Sequence, residues 1–330
     1  MKETHMKNRK SGRIIISIIL AIVLAVVLFA LFLFLNGTRF HKTYNADPYL
    51  SEWMRDIDDS TLLRKVKIPG SHDAGTSGML WPFATQNSTI AEQLTYGCRY
   101  FDIRVNKTDK GYKIYHSFAN GADFEPILDS LKAFIVSHPT EVLILDFQHF
   151  SGGSRDDVIR MVNDSLNRDG LLVHNTGNVT DAEFISSLSL GEARGKCLVF
   201  IGGTTEDTAD WIFLRNNDEC TRDDTVLDSF YLGDYHKGGF DSLTGNAHPE
   251  YFALEDEKEE KGTAGLFVLQ CQLTDGYMIF GPASIERGQE KKMDEYVRNR
   301  RTDSHLDVIN VIMRDFLTPE KCTAIIDLNK

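Results

Sequence analysis

Two segments of the chain place charged side chains in or directly after short apolar runs. His72 and Asp73 lie in a loop of small residues that follows the first of these runs. Asp102 and Arg104 lie two positions apart in the second run, which places both side chains on one face of a strand. Because unpaired charge on a buried face is costly, we expect this Asp and Arg either to form an ion pair or to line a site.

Two further polar positions end other apolar runs. His116 ends one of them and Asp315 ends the last, so that four segments supply two His, one Arg and three Asp. This set suits the cleavage of a phosphodiester, because one imidazole can take a proton from an attacking hydroxyl while the other protonates the leaving oxygen. The guanidinium would offset charge on the phosphorane oxygens, and the carboxylates would hold the imidazoles in the required tautomer. Taken singly, each position is also explained by a turn, a structural ion pair or a surface carboxylate.

The apolar runs alternate with amphipathic stretches, which predicts strands alternating with helices. The predicted strands are 66–68, 99–105, 112–115, 142–147, 197–201, 266–273 and 308–313. The predicted helices are 90–96, 125–137, 155–167, 181–187, 284–301 and 319–328. The alternation predicts a parallel sheet, open or closed, and a closed α/β barrel would gather the loops after the strands at one catalytic face.

The composition excludes several classes of protein. Of the 330 residues, 42% are hydrophobic, which is too many for a disordered chain. Five Cys are too few for a disulfide scaffold of this length. The formal net charge of −12 argues against a nucleic-acid partner, because nucleic-acid binding requires a basic surface.

The N-terminal region predicts a membrane anchor. Residues 14–35 form an uncharged run of 22 residues, and about 20 apolar residues suffice to span a bilayer as a helix. Secretory signals have a shorter apolar region, of about 7–15 residues. Basic residues directly precede the run, so the positive-inside rule places residues 1–13 in the cytoplasm and residues 36–330 outside it. The alternative is a signal peptide that is cleaved to release a secreted protein.

The rest of the chain divides into a linker and one domain. Residues 36–50 are a short polar linker, and residues 51–330 have about the length of one α/β barrel. Residues 36–330 hold 31 Lys+Arg against 47 Asp+Glu, a net charge of −16. We therefore predict a basic tail, one transmembrane helix and one acidic catalytic barrel.

Several stretches together resemble the X domain of phosphatidylinositol-specific phospholipase C and related phosphodiesterases. The matching stretches are 67–76, 93–104, 115–116, 138–142 and 314–316. They follow the order of the family from about residue 50 to 320, and the first two are the most specific. The resemblance implies a distorted, incompletely closed TIM-type barrel, and a phosphoric diester hydrolase or phosphorus–oxygen lyase that acts on a phospholipid membrane.

The resemblance also assigns roles to the candidate residues. It implies that His72 is the general base and that Asp315 orients it. His116 would be the general acid, assisted by Asp73, and Arg104 would contact the phosphate. Asp102 would lie nearby. In the family, the inositol 2-hydroxyl attacks the phosphorus of the same lipid, which releases diacylglycerol and a cyclic inositol phosphate.

A metal ion and other cofactors are not expected. In the metal-dependent branch of the family an acidic residue occupies the place of Arg104, and acidic residues bind calcium. A guanidinium at that place supplies the positive charge itself and would repel an adjacent cation. We therefore predict catalysis without a metal.

The residues that grip inositol in the bacterial enzymes are not all matched. The Arg and the Asp/Tyr pair of that set are missing from the corresponding stretches, where Gln148, Gln270 and Gln272 could bind a polyol or another headgroup. Two alternatives remain: a glycerophosphodiester phosphodiesterase, which would require a metal-binding acidic pair, and an inactive module that binds a lipid or a sugar.

Overall fold

The computed structural model describes residues 2–37, 41–80, 83–202, 209–215, 226–231, 257–273, 281–302 and 306–330. These residues contain ten β-strands. The strands are β1 Ile68–Ser71, β2 Tyr100–Thr108, β3 Gly111–His116, β4 Ala119–Asp123, β5 Val142–Ser151, β6 Lys196–Ile201, β7 Ile212–Leu214, β8 Leu227–Tyr231, β9 Leu266–Cys271 and β10 Val311–Arg314.

Eight of these strands are parallel and form a nearly closed barrel. Their order around the sheet is β7-β6-β5-β2-β1-β10-β9-β8. The first and last strands of this order meet at one parallel bridge between Arg215 and Leu227, beside a hydrogen bond of 2.9 Å from the Val226 N–H to the Leu214 carbonyl. The predicted fold, a distorted TIM-type barrel, is confirmed.

A long helix, α1 Lys2–Gly37, precedes the barrel, and its apolar segment Ile14–Phe32 is exposed. The helices that cover the outside of the barrel in the described part of the chain are α2 Ile90–Thr95, α3 Phe124–Ser137, α4 Arg155–Ser165, α5 Asp181–Ser187, α6 Leu190–Ala193, α7 Pro282–Asn299 and α8 Pro319–Ile326. Local signals in the sequence fix several of their ends. The Thr89 side chain accepts from the Glu92 N–H at the start of α2, and Thr318 precedes Pro319 at the start of α8.

The core forms because the barrel strands are apolar on both faces. All six residues from Val142 to Phe147 in β5 are buried, as are all four residues of β1. Helices on one side and interior side chains on the other remove both faces from water, as in other parallel sheets. Polar residues in such strands therefore need partners, and most of those described below lie in or just after β1, β2, β5 and β10.

The first strand was predicted to end at residue 68, before Pro69 and Gly70, and the structure corrects this end. Both residues lie inside β1, which pairs with β10 on one side and β2 on the other. A Cβ atom on Gly70 would approach Val311 Cγ1 to 2.8 Å and Tyr100 Cδ1 to 2.9 Å, so only glycine fits between the neighbouring strands. The small residue marks a close approach of strands, and the turn begins after Ser71.

Three strands were not predicted. They are β4, which pairs antiparallel with β3 outside the barrel, and the barrel strands β7 and β8. Strand β7 has only three residues, and both β7 and β8 adjoin segments outside the described residues. Such short runs give little periodicity from which a strand could be recognised.

Before the barrel, helix α1 contains an apolar segment, Ile14–Phe32, that is long enough to cross a membrane. A signal sequence near an N-terminus has the same properties. From residue 41 the chain packs on the barrel, and a 3₁₀ helix at Pro48–Asp56 begins within the predicted linker. Trp53 and Met54 of this helix are buried.

Candidate active site

The six predicted catalytic residues meet at one end of the barrel. His72 and Asp73 directly follow β1, and Asp315 directly follows β10. Asp102 and Arg104 lie within β2, next to β1 in the sheet, and His116 is the last residue of β3. The end at which they meet is the one to which the parallel strands run, where barrel enzymes place their catalytic groups.

The buried imidazole of His72 lies between two carboxylates. Its Nδ1 is 2.7 Å from Asp315 Oδ1, and its Nε2 is 3.2 Å from Asp73 Oδ2. Because a carboxylate accepts, the short contact to Asp315 places a proton on Nδ1 and leaves Nε2 facing the site. Burial lowers the pKa of His72, but the charges of Asp73 and Asp315 outweigh burial and raise that pKa to about 9.

Asp73 lies at the centre of the cluster. Its Oδ1 is 2.7 Å from Arg104 Nε, and its Oδ2 is 3.5 Å from His116 Nε2 as well as close to His72. Both carboxylate oxygens are buried and are held by these charged contacts rather than by hydrogen bonds. Burial raises the pKa of Asp73, but Arg104 and the two imidazoles outweigh it and lower the pKa to about 2.

The backbone at Asp73 is also constrained. Its φ is +42°, in the left-handed region that few non-glycine residues adopt. The Asp73 N–H donates to Asp102 Oδ2 over 3.1 Å, which holds this turn against β2. Asp102 thus binds the turn that carries His72 and Asp73.

Arg104 forms the ion pair expected from the sequence. Its Nη2 is 2.9 Å from Asp102 Oδ2, while its Nε faces both Asp102 and Asp73. Burial lowers the pKa of Arg104, but these two carboxylates outweigh burial and raise it above its usual value. The side chain remains 18% exposed, so its guanidinium reaches the open end of the barrel while two carboxylates fix its direction.

His116 presents one ring nitrogen to the site. Its Nδ1 is 2.8 Å from the Phe83 carbonyl, which can only accept, so Nδ1 carries a proton. Its Nε2 therefore faces Asp73. The two imidazoles approach the same carboxylate oxygen from different strands, which is the arrangement that a base and an acid on opposite sides of one reacting group require.

A buried glutamine outside the predicted set supports this end of the barrel. Gln86 donates through Nε2 to the His72 carbonyl at 2.9 Å and the Arg314 carbonyl at 3.0 Å, and its Oε1 accepts from the Leu317 N–H at 3.0 Å. It thereby joins the residues that precede Asp315 to the turn that carries His72. The sequence gives no periodic signal for such a residue in a loop.

A second polar cluster lies inside the barrel and was not predicted. Asp146 Oδ2 accepts from Tyr100 Oη at 2.5 Å and from Gln148 Nε2 at 3.0 Å, and Arg215 Nε is 2.9 Å from Asp146 Oδ1. Burial raises the pKa of Asp146. The cluster adjoins the catalytic set, because Asp146 lies opposite Asp102 in the pairing of β5 with β2. The sequence does contain one signal for this cluster, because Asp146 is an acidic residue within the apolar run of β5.

The three glutamines predicted to bind a headgroup are brought to the barrel in two groups. Gln148 belongs to the Asp146 cluster. Gln272 Nε2 donates to Gln270 Oε1 at 3.1 Å, and Gln270 Nε2 donates to Ser229 Oγ at 2.9 Å, which places this second group at the ends of β8 and β9. The structure gives no contact between the two groups among the residues it describes.

Three of the site residues have donor atoms that could together hold a metal ion. Single donor atoms of His72, Asp73 and Asp102 all lie within 4.8 Å of one another. Both carboxylates already contact the Arg104 guanidinium, whose fixed charge opposes a cation at the same place. The donor set is therefore a poor fit for an added metal ion.

A cavity of about 630 Å³ lies away from this site. It is lined by residues that include Asp47, Leu50, Arg298 and Pro319, from the segment before the barrel and from α7 and α8. It contains none of the six catalytic candidates. The chemistry of the cluster at the open end of the barrel, rather than cavity size, identifies the candidate active site.

Part of the chain matches a known family of proteins. Residues 65–201 match the family model for the X domain of phosphatidylinositol-specific phospholipase C. Five of the six candidate residues lie within the matched segment, and Asp315 lies beyond it. This part of the chain is similar to a family of phosphodiester-cleaving enzymes, and the resemblance found in the sequence is confirmed.

Individual relatives extend the match over most of the chain. A 1-phosphatidylinositol phosphodiesterase of Listeria monocytogenes is 24% identical over 281 residues, which are 82% of each protein. PI-PLC X domain-containing protein 2 of Mus musculus is 44% identical over 71 residues, or 20% of each protein.

Solved structures support the fold. The phosphatidylinositol-specific phospholipase C of Listeria monocytogenes aligns with a TM-score of 0.62 at 20% identity, covering 85% of this chain and 99% of that one. A Staphylococcus aureus phosphatidylinositol-specific phospholipase C aligns with a TM-score of 0.64 at 18% identity, covering 85% and 98%.

Proposed function

We propose that this protein is a membrane-anchored phosphodiesterase that cleaves phosphatidylinositol or a related phosphodiester lipid. The products are diacylglycerol and a cyclic phosphate of the headgroup. The observation that carries the proposal is the contact of His72 and His116 with the same oxygen of Asp73, while Arg104 contacts its other oxygen. A base, an acid and a fixed cation thereby surround one small space.

The first step is attack by a headgroup hydroxyl on the neighbouring phosphorus. His72 takes the hydroxyl proton on Nε2, because Nδ1 is occupied by Asp315. The new bond joins the hydroxyl oxygen to phosphorus and closes a cyclic phosphate. Asp315 stabilises the imidazolium that results, as carboxylates do in other catalytic pairs with histidine.

The leaving group in this step is the diacylglycerol oxygen. As its bond to phosphorus breaks, His116 supplies a proton from Nε2, so that diacylglycerol leaves as a neutral alcohol. Asp73 Oδ2 lies 3.5 Å from that nitrogen and faces it from the side of the site. Transfer of the His72 proton to solvent and reprotonation of His116 complete the turnover.

Arg104 stabilises the charge that accumulates on the phosphorus oxygens. Its direction is fixed by Asp102 and Asp73 before the substrate binds, so little reorganisation is needed during the reaction. The charge is supplied by the protein, and we therefore propose catalysis without a bound metal ion. The metal-dependent alternative rests on the close donor atoms of His72, Asp73 and Asp102.

The headgroup would lie deeper in the barrel, over the polar side chains that line it. Gln148 is held by Asp146 on one side, and Gln270 and Gln272 face the barrel from β9 and the residue after it. Amide groups can both donate to and accept from the hydroxyls of a polyol. We propose these three glutamines as headgroup contacts.

The anchor fits the same function. We propose that residues 14–35 stay in the membrane, that residues 1–13 face the cytoplasm, and that the barrel lies outside it. An acidic barrel is not attracted to an anionic lipid surface, so a covalent span would keep the enzyme near its substrate.

The proposal is tested by product analysis with purified full-length protein on a panel of phosphodiester lipids. The expected result is a cyclic phosphate and diacylglycerol from an inositol lipid, unchanged by a chelator. Turnover that a chelator abolishes would support the metal-dependent alternative. A lack of turnover on every lipid, with lipid binding retained, would support the inactive binding module.

A further inference from the structure

We propose that the segment between the anchor and the barrel orients the active site toward the membrane that holds the anchor. The enzyme would then act on lipids of its own membrane, with Leu80 and Phe118 in contact with that bilayer. This inference rests on the proposed function for its substrate and on a retained anchor for its geometry. Its evidence is the path of residues 41–56 along the barrel.

The path begins at the open end of the barrel. His41 Nδ1 is 3.2 Å from Ser77 Oγ, in the loop that follows His72. The Lys42 N–H donates to the Asn87 carbonyl at 2.8 Å, next to Gln86, which binds the turn at His72. Residue 41, the first described residue after the anchor, therefore lies at the catalytic end.

The path then descends alongside helix α2. Ser88 Oγ donates to the Lys42 carbonyl at 2.5 Å, and Thr43 hydrogen-bonds to Glu92 in the first turn of α2. The Tyr44 N–H donates over 2.8 Å to the hydroxyl of Tyr96, which follows that helix. Successive residues of the segment thus contact successive positions of α2.

The path ends at the opposite end of the barrel. Trp53 Nε1 donates to the Gly97 carbonyl at 3.0 Å, just before β2 begins. The Met54 N–H contacts Glu141, just before β5 begins. Because the strands begin here and end at the active site, the segment runs the length of the barrel with its anchored end at the active site.

The chain between the anchor and this contact is short. From the end of the apolar run at Leu35 to His41 there are six residues, which span at most about 20 Å. The end of the barrel that bears His41 must therefore stay within about that distance of the membrane. The opposite end cannot face the bilayer unless the contacts of residues 41–44 break.

The same end carries exposed apolar side chains next to the catalytic acid. Leu80 is 61% exposed and Phe118 is 76% exposed. The Phe118 ring packs against Phe83 with 4.7 Å between ring centroids, and Phe83 supplies the carbonyl that orients His116. These exposed apolar side chains lie beside a proposed lipid site, at the end of the barrel that is tethered to the bilayer. They are therefore better suited to contact with lipid than to exposure to water.

The orientation is tested by fluorescence quenching in vesicles made with the full-length protein. A polarity-sensitive probe is attached to Phe118→Cys and, as a matched control, to Val136→Cys, both in a Cys220→Ser background. Val136 is an apolar residue 60% exposed near the end of α3, at the opposite end of the barrel. The described native cysteines, Cys98, Cys197, Cys271 and Cys322, are buried.

Nitroxide-labelled lipid in the same bilayer should quench the probe at position 118 at least several-fold more than the probe at 136. Equal quenching, or stronger quenching at 136, would overturn the proposal. So would a mature protein whose intact mass lacks residues 14–35. The probe at position 118 could instead enter an apolar environment without a bilayer, to an extent that rises with protein concentration. That result would indicate contact with a second copy of the chain and would also overturn the proposal.

A longer tether provides a second test. Insertion of about 20 Gly and Ser residues between Gly37 and Thr38 removes the length constraint. We expect weaker quenching at position 118 and severalfold slower turnover of lipid in the same vesicle, with turnover of a water-soluble phosphodiester unchanged. Unchanged quenching and lipid turnover would contradict a role for the tether. If no substrate is turned over by the parent protein, the proposed function fails, while the quenching result still decides the orientation.

Discussion

His72 Nδ1 lies 2.7 Å from Asp315 Oδ1, although the two residues are 243 positions apart in the chain. The contact exists because β1 and β10 pair in parallel, with Ser71 opposite Arg314, so that the next residue of each strand emerges at the same end of the barrel. The pairing of β1 with β10 thus fixes both the tautomer and the direction of the proposed base. Because Asp315 follows the last strand, the orientation of His72 depends on the complete fold.

The first prediction concerns pH. The pKa of His72 is raised to about 9, and the proposed base must be unprotonated, so kcat/KM should increase as the pH rises toward about 9. Asp315→Asn removes one of the charges that raise this pKa, so the rising limb should move to lower pH even though the maximal rate falls. The measurement is a pH profile with a water-soluble phosphodiester. If kcat/KM rose over the same pH range in the parent protein and in Asp315→Asn, His72 would be excluded as the titrating group.

The second prediction separates the two imidazoles. His116→Ala should lower the rate by about 10²–10⁴-fold for substrates with a poor leaving group, and much less for an activated aryl leaving group that needs no proton. His72→Ala should lower both rates by similar factors, because the attacking hydroxyl is the same. Kinetics on a matched pair of substrates checks this. Equal losses in His116→Ala for both leaving groups would contradict its role as the acid.

The third prediction concerns the guanidinium. Arg104→Lys keeps the charge but loses the planar group that contacts Asp102 and Asp73 together. We expect kcat to fall by about 10²–10³-fold. This is the loss typical of removing one fixed hydrogen-bond donor that stabilises charge in a transition state. Steady-state kinetics measures the effect, and the circular dichroism spectrum should remain that of the parent protein. Full activity in the lysine variant would show that charge alone suffices.

The fourth prediction concerns Gln86. Gln86→Leu leaves two buried carbonyls and the Leu317 N–H without the partners they have in the parent protein. At about 1–3 kcal/mol for each unsatisfied group, with partial relaxation, we expect the free energy of unfolding to fall by about 2–4 kcal/mol. Urea denaturation measures this loss. A change below about 0.5 kcal/mol, typical of a surface substitution, would show that these hydrogen bonds do not hold the site together.

Much of the site could be predicted because its residues interrupt apolar strands. His72 and Asp315 directly follow strands and Arg104 lies within β2, and a parallel barrel gathers such positions wherever they lie in the sequence. Helix signals were similarly local: Thr318 and Pro319 fix the start of α8 without reference to the rest of the chain. The predicted catalytic residues therefore follow from pattern and topology together.

Other parts could not be predicted because they depend on contacts between distant segments. Gln86 lies in a loop without periodicity, and its role exists only once β1 and β10 are adjacent. Arg215 follows β7, a strand of three residues, and its side chain contacts Asp146 of β5, two strands away in the sheet. The strand through Pro69 and Gly70 was missed because local propensity disfavours it, whereas close packing against β2 and β10 requires it.

The central claim is that His72 and His116 convert an inositol phospholipid to a cyclic phosphate without a metal ion. Phosphorus NMR of the products from phosphatidylinositol, with a chelator present, tests it most directly. The account predicts that the parent protein forms the cyclic phosphate as its first product and that His72→Ala forms it at least about 10²-fold more slowly. An acyclic phosphate as the first product, or unchanged turnover by His72→Ala, would contradict the account.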